Sequence, residues 1–324
     1  MLKPCLDLTG AALIMGNSNS ILAIIEPDIH PHEVVERAAW LARLHNARLD
    51  LLLCDPDIGP LHAGWYLSNE AKDIGESIHV AQQEMIDELA DNVRDTEIDV
   101  TAGILTERPV AEAVIHEVNE RQPMLLVKGT QYHSTAERAI FVDTDWQLVR
   151  ACPCALYLVK PTEVRDNPVI VAAVDPTHAH DKPASLDKAI VGAALDLAGR
   201  SGGDVHLLHT YQRLTGVGRE ATRTFKPIQI PLDELDQRIR ADHRQRLDAL
   251  AADFSIGAEN VHQLPGHARE LLPTFARTHG ASVVVMGGLA RWSLKRAVIG
   301  STAERVLDHL PCDVLLVRTP GDEN

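Results

Sequence analysis

Short runs of valine, isoleucine and leucine alternate with helical patterns along this chain, and the whole alternation occurs twice. The apolar runs predict strands at residues 20–25, 49–54, 98–105, 124–127 and 155–159, and again at residues 169–174, 205–210, 261–264, 283–286 and 314–317. Amphipathic patterns between them predict helices at residues 32–46, 68–94, 109–121 and 145–151, and again at residues 183–201, 232–254, 267–279 and 302–309. Such uniformly apolar strands are typical of a parallel sheet that helices cover on both faces. The sequence therefore predicts an α/β protein with two tandem, doubly wound, Rossmann-like units.

The two halves also match in their residues, which indicates an internal duplication. Residues 23–27 (Ala-Ile-Ile-Glu-Pro) echo residues 172–176 (Ala-Ala-Val-Asp-Pro), and residues 129–159 align with residues 287–317 without a gap. Residues 160–168, with two prolines and several charges, predict the linker. We therefore predict one domain at residues 1–160 and a second domain at residues 161–324.

Composition and charge exclude several classes of protein. An apolar fraction of 45% and a charged fraction of 24% are ordinary for a soluble globular protein. The formal net charge of −15 argues against general binding of nucleic acid or of anionic membranes, which attract a basic face. No apolar run is long enough to span a bilayer, so membrane insertion is not expected. The five cysteines are few and odd in number, which indicates reduced, packed thiols in a cytoplasmic protein.

A candidate ligand site lies at the carboxyl ends of the strands in the second half. Ligands of doubly wound sheets bind beyond these ends, near the point where the strand order reverses. Asp175 at the end of the first strand suits ribose hydroxyls, and Thr210 and Met286 would flank a base. The residues expected at this edge are Asp175, Thr210, Gly266, Met286 and Gly287.

A stretch rich in small residues follows the strand at residues 283–286 and leads into the helix predicted at residues 302–309. Glycine permits close approach of a ligand, and a helix N-terminus attracts phosphate through its unpaired N–H groups. The residues expected to receive phosphates are Gly287, Ala290, Gly300, Ser301 and Thr302. The alternative is that these small residues only make tight turns, but the ordered set favours a nucleotide site.

These residues resemble the nucleotide signature of the universal stress protein family, in particular its two-domain E-type members. The signature is Gly, two residues, Gly, nine residues and then Gly-Ser/Thr, and it reads here as Gly287, Ala290 and Gly300 followed by Ser301 and Thr302. Residues 141–146 also resemble the E-type pattern. The resemblance implies a five-stranded parallel sheet per domain and ATP in the second domain. Mg²⁺ is the ion that we would expect to accompany ATP. It also implies that the two domains pair like a dimer of single-domain relatives, while further homo-oligomerisation stays open.

Two departures from the signature distinguish the halves. Ala290 replaces the second glycine of the signature. If the backbone at this position needs a positive φ, the alanine costs roughly 1 kcal/mol of binding free energy, which would weaken the affinity for nucleotide about fivefold to tenfold. In the first half, Tyr132, Val142 and Asp143 stand where Ala290, Gly300 and Ser301 stand in the second. A carboxylate there would cap the helix and repel phosphate, so the first domain is not expected to bind ATP.

Other motifs carry weaker predictions. The pairs His30/His32 and His178/His180 follow Glu26 and Asp175, but no spacing fixes a third ligand, so no metal site is predicted. Cys152-Pro153-Cys154 is too tight and strand-like to indicate a zinc or redox site. The expected function is a nucleotide-responsive stress protein. The alternatives are a slow ATPase, in which Asp175 would hold a metal or a water, and a non-nucleotide interaction protein with two degenerate pockets.

Overall fold

The structure is a computed structural model, and it describes nine segments of the chain. These are residues 18–54, 69–95, 97–107, 109–130, 144–163, 165–177, 184–213, 232–288 and 306–318.

The strands and helices alternate in the same order in both halves. The first half contains β1 (Ser18–Ile25), α1 (Pro31–His45), β2 (Arg48–Cys54), α2 (Asn69–Val93), β3 (Val100–Leu105), α3 (Val110–Arg121), β4 (Pro123–Gly129), α4 (Thr144–Ala151) and β5 (Ala155–Val159). The second contains β6 (Val169–Ala173), α5 (Ala184–Ser201), β7 (Asp204–Tyr211), α6 (Leu232–Asp253), a 3₁₀ turn (Ala258–Asn260), β8 (Val261–Pro265), α7 (Ala268–Thr278), β9 (Val283–Gly287) and β10 (Asp313–Val317). Of the helix predicted at residues 302–309, only the part from residue 306 lies within the described segments.

The ten strands of the described segments form one sheet, in the order β3-β2-β1-β4-β5-β10-β9-β6-β7-β8. Strands are parallel within each half, and the five strands of each half lie in the same relative order. Strands β5 and β10 pair antiparallel and so join the two halves, with Tyr157 opposite Leu315. The doubly wound α/β fold is therefore confirmed, and the two halves point their carboxyl edges in opposite directions.

Helices cover both faces of this sheet, and a hydrophobic cluster lies under each layer. One cluster packs α1, α2, α5 and α6 against the strands, and the other packs α3, α4 and α7. Each cluster contains residues from both halves, so the two units share their core across the β5–β10 junction. Burial on both faces explains why the strands lack the polar alternation of a half-exposed sheet.

A buried polar network crosses the junction between the halves. The Asp313 side chain, fully buried at the start of β10, forms an ion pair with Arg37 of α1 and accepts a hydrogen bond from the Tyr157 hydroxyl at 2.9 Å. It also accepts one from the Lys160 backbone N–H at 2.8 Å, while Arg37 donates to the Thr162 carbonyl at 2.5 Å. These bonds satisfy a carboxylate whose burial would otherwise be strongly unfavourable.

The predicted strand ends were wrong at three functionally placed positions. β4 and β9 continue to Gly129 and Gly287, which pair with Val159 and Val317 in the neighbouring strands. β7 continues to Tyr211, so Thr210 is its penultimate residue. Backbone pairing extends beyond the apolar run because a ladder hydrogen bond needs no particular side chain.

Within the described segments, every helix is too short or too polar to span a lipid bilayer.

Candidate functional site

The structure brings the described candidate residues of the second half to one edge of the sheet. Asp175 follows β6, Thr210 lies near the end of β7, Gly266 follows β8, and Met286 and Gly287 end β9. The strand order β9-β6-β7-β8 places β6 between β9 and β7. Neighbouring strands are about 5 Å apart, so this edge spans roughly 14 Å from β9 to β8. The order reverses between β6 and β9, where doubly wound sheets bind ligands.

Strand register places the acid and the threonine at the same height. Ala173 lies opposite Leu208, so two residues further along Asp175 is level with Thr210. Leu208 and Met286 belong to the hydrophobic cluster on the α7 side of the sheet. Thr210 shares that face with Leu208 because side chains alternate along a strand. Thr210 and Met286 therefore lie on the same face of the sheet, two strand spacings apart. This arrangement suits two side chains that flank a planar group.

The carboxylate of Asp175 is held in a fixed orientation at this edge. The Thr177 hydroxyl donates a hydrogen bond to Asp175 Oδ1 at 2.7 Å, and the Asp175 side chain is partly exposed. The Asp175 backbone N–H donates to Oδ1 of Asp187 at 2.9 Å. Asp187 is buried in α5, and the sequence analysis missed it because an aspartate in an amphipathic helix has no distinguishing pattern.

The glycines at strand ends are required by packing. A Cβ at Gly287 would lie 2.7 Å from Leu186 Cδ2, and one at Gly129 would lie 2.7 Å from the Ile29 carbonyl oxygen. In each half, the first signature glycine therefore lets its strand pack closely against the segment that follows the first strand of that half, which is Ile29 with α1 in the first half and α5 in the second. Gly266 has φ of 143°, a conformation that glycine favours, and its N–H donates to the Tyr211 carbonyl at 2.8 Å.

The rest of the predicted phosphate cradle lies outside the described segments. This applies to Ala290, Gly300, Ser301 and Thr302, and also to His178, His180 and the first-half residues Tyr132, Val142 and Asp143. Their roles stay predictions.

The first half has a buried ion cluster at the corresponding edge. Lys128 Nζ lies 2.6 Å from Glu26 Oε2 and 2.6 Å from Asp145 Oδ1, and it donates to the Gly129 carbonyl at 3.2 Å. Glu26 follows β1, Lys128 lies in β4, and Asp145 lies in the first turn of α4. The cluster therefore ties together the three elements that surround the point of strand reversal in this half.

Electrostatics keep Lys128 charged. Burial alone would lower the pKa of Lys128, but the nearby carboxylates of Asp145 and Glu26 together outweigh burial and raise that pKa above its ordinary value. In the gapless alignment of the halves, Met286 stands where Lys128 stands, and Ala303 stands where Asp145 stands. The sequence analysis missed Lys128, although a lysine ending the apolar run 124–127 is a visible signal of a paired charge.

A crevice runs from this ion cluster to the second half. It is lined by Thr130, Asp145, Trp146, Val149, Leu158, Lys160, Leu307, Asp308 and Val314. Burial lowers the pKa of Lys160, and this effect is opposed by Asp145 and Cys312. The crevice therefore combines apolar walls with two acids and a lysine at the junction of the halves.

Histidines cluster elsewhere in the second half. The rings of His206 in β7, His262 in β8 and His279 after α7 lie 5.2–5.5 Å apart, and His206 Nδ1 is 3.0 Å from His262 Nε2. Burial lowers the pKa of His206 and of His262, and neighbouring histidines lower both further. Within the described part of the chain, no group of three or more His, Cys, Asp or Glu residues is arranged to hold a metal ion.

The chain is similar to known proteins along both halves. The universal stress protein family matches residues 18–160 and again residues 169–318. Universal stress protein E of Photorhabdus laumondii is 24% identical over 318 residues, which cover 95% of this chain and 98% of the relative. Universal stress protein E of Escherichia coli K12 is 25% identical over 310 residues, which cover 94% of this chain and 95% of the relative.

Solved structures share the two-unit arrangement. A functionally unknown protein from Pseudomonas aeruginosa PAO1 is similar with a TM-score of 0.66 and 25% identity, covering 93% of this chain and 92% of that one. A universal stress protein from Archaeoglobus fulgidus has a TM-score of 0.60 at 15% identity, covering 93% of this chain and 97% of that one. Two family matches and full-length relatives together show that this chain belongs to the universal stress protein family, as a tandem, E-type member.

Proposed function

We propose that the chain is a cytoplasmic, nucleotide-responsive regulator that binds ATP, with Mg²⁺ as an accompanying ion, through its second half. The observation that carries the proposal is the difference between the two carboxyl edges. In the first half, the Lys128 ammonium pairs with the acid that follows the first strand. In the second half, Met286 takes the position of the lysine, so the equivalent acid, Asp175, faces no ammonium from that position.

Each residue of the second-half edge has a role in this proposal. Asp175, oriented by Thr177, accepts hydrogen bonds from ribose hydroxyls. Thr210 and Met286, on one face of the sheet, flank the base. Backbone N–H groups and hydroxyls bind the phosphates at Gly287, Ala290, Gly300, Ser301 and Thr302. Gly266, which has no side chain, leaves room for the ligand where the edge ends after β8.

The proposal also assigns a role to the junction between the halves. We propose that the two halves pair as two single-domain subunits would, so that occupancy of the second half is transmitted to the first. The antiparallel β5–β10 pair and the Asp313 network support this, because both connect the units through buried contacts. A rigid junction of this kind lets one bound nucleotide bias the surface of both halves.

Calorimetric titration of the full chain with ATP and Mg²⁺ tests the proposal. Gly300→Asp copies the acidic character of the first-half segment and should abolish binding while leaving the fold intact, as judged by circular dichroism. Val142→Asp is the matched control, since it changes the equivalent position of the first half and should leave affinity unchanged. Equal affinity in wild type and Gly300→Asp would contradict the assigned cradle.

Two further outcomes separate the alternatives. Failure of the wild-type chain to bind ATP would favour an interaction protein that uses no nucleotide. Release of phosphate from ATP that disappears in Asp175→Ala would move the assignment from a binder to a slow ATPase, because that carboxylate would then hold a metal or a water.

A further inference from the structure

We propose that Cys152 and Cys154 form a redox couple that a hydroperoxide converts to a reversible intrachain disulfide. Cys152 directly follows α4, and Cys154 directly precedes β5. Their Sγ atoms lie 3.6 Å apart, within the range of a thiol–thiol hydrogen bond. The spacing of the two residues in the sequence does not indicate this chemistry, but the short approach of their sulfur atoms does.

The duplicated half argues that packing alone does not require both sulfur atoms. Leu310 and Cys312 stand where Cys152 and Cys154 stand in the first half, and all four side chains are buried. A leucine therefore fills the position of Cys152 in the same fold, in the same hydrophobic cluster. The first half differs from the second in presenting two adjacent thiols.

The surroundings make the two thiols unequal. The hydrogen bond with Cys154 lowers the pKa of Cys152, burial opposes this, and the Arg318 guanidinium lowers it further. The hydrogen bond with Cys152 and burial both raise the pKa of Cys154. Arg318 is held beside them by donating to the Val149 carbonyl at 2.5 Å, at the end of α4. We therefore expect Cys152 to attack as the thiolate and Cys154 to resolve the intermediate.

The reaction balances in two steps. In the first, the Cys152 thiolate attacks one oxygen of the hydroperoxide, an S–O bond forms, the O–O bond breaks, and the alkoxide leaves as an alcohol after taking up a proton. In the second, Cys154 sulfur attacks the sulfenic sulfur of Cys152, an S–S bond forms, the S–O bond breaks, and hydroxide leaves as water with the Cys154 proton. Two thiols are oxidised, and one hydroperoxide is reduced to an alcohol and water.

Burial sets the rate of this reaction. Both thiols are covered, and the Cys152 N–H is bonded to the Leu148 carbonyl at 2.9 Å in the last turn of α4. The oxidant therefore reaches Cys152 when this last turn opens, as helix ends do most readily. We expect slower oxidation than for an exposed cysteine, and selectivity for small oxidants such as hydrogen peroxide over bulky disulfide reagents.

The test uses the full chain treated with hydrogen peroxide, then unfolded, alkylated and digested with trypsin. Cleavage after Arg150 releases a peptide that begins at Ala151 and contains both cysteines. The proposal expects this peptide to appear unalkylated and lighter by two hydrogen atoms, and to regain two alkyl groups when dithiothreitol precedes alkylation. Two alkylated cysteines after peroxide, or irreversible oxidation of Cys152 beside an intact Cys154, would overturn it.

Three variants sharpen the test. Cys154→Ser should stop the reaction at the sulfenic acid of Cys152, which dimedone traps. Cys152→Leu copies the second half, should fold, and should leave Cys154 alkylatable. Cys312→Ser is the matched control, and loss of the disulfide in this variant would show that the pair does not act alone and would overturn the proposal.

Discussion

Replacing Lys128 by methionine tests the account of the first-half edge, because the variant copies Met286 of the second half. The ammonium lies 2.6 Å from each of two carboxylates, and Lys128, Glu26 and Asp145 are 1%, 7% and 5% exposed. Its removal leaves two buried carboxylates without their shared cation. Breaking a buried pair in this way typically costs about 3–5 kcal/mol, because the remaining charge loses its counter-ion in a poorly solvated position.

Differential scanning calorimetry of the full chain measures this cost. A free-energy loss of 1 kcal/mol lowers the melting temperature of a unit of this size by about 2–4 °C, so Lys128→Met should melt about 6–20 °C below wild type. Without the ammonium, burial should raise the pKa of both carboxyl groups in the folded variant, and protons then neutralise them as the pH falls. The deficit should therefore shrink between about pH 7 and pH 4.5.

Two variants serve as controls for this prediction. The triple variant Lys128→Met, Glu26→Gln, Asp145→Asn removes the charges together and should recover more than half of the loss. Met286→Leu changes the equivalent position of the second half without changing charge and should cost less than about 1.5 kcal/mol. The reasoning fails if Lys128→Met melts within about 2 °C of wild type, or if the triple variant is no more stable than the single one.

Three further predictions concern stability. Asp313→Asn should cost about 3–5 kcal/mol, because it leaves its buried arginine partner unpaired, and a melting temperature equal to that of wild type would contradict the network. Gly129→Ala should destabilise the protein more than Gly287→Ala in thermal melts. The added methyl would lie 2.7 Å from a backbone oxygen in Gly129→Ala, but 2.7 Å from a leucine side chain, which can move more easily, in Gly287→Ala. The reverse order of melting temperatures would refute the packing argument. The lowered pKa values of His206 and His262 mean that the unfolded chain binds more protons, so stability falls as the pH drops below about 6.5. Replacing both by glutamine should flatten melting temperature against pH between about pH 7.5 and 5.5, and an unchanged slope would exclude these histidines as its cause.

Sequence alone could predict the fold because its signals are local. Apolar runs of four to eight residues and helical periodicity depend on neighbouring residues, and the gapless repeat is visible when the two halves are compared directly. Together they led to the correct strand and helix order. The ends of β4, β7 and β9 were misjudged because ladder hydrogen bonds continue past the apolar run. Hydropathy carries no signal for a backbone bond made by a glycine.

The site was only partly predictable, because its main interactions join distant residues. Lys128 meets Glu26 across 102 residues, and Arg37 meets Asp313 across 276 residues. The sequence places Asp175, Thr210 and Met286 at strand ends, but it does not reveal that Asp187 holds the backbone of Asp175. The packing role of the signature glycines required the positions of the helices that approach them.

Native mass spectrometry of the full chain in the presence of ATP and Mg²⁺ tests the central claim most directly, because it counts bound nucleotides on each chain of 35.5 kDa. The account predicts one ATP per chain, lost in Gly300→Asp and retained in Val142→Asp. A second equivalent ATP would contradict the expectation that the first half, where Lys128 pairs with Glu26, does not bind ATP. No ATP on the wild-type chain, or one that survives Gly300→Asp, would contradict the assignment of the second-half edge as the nucleotide site.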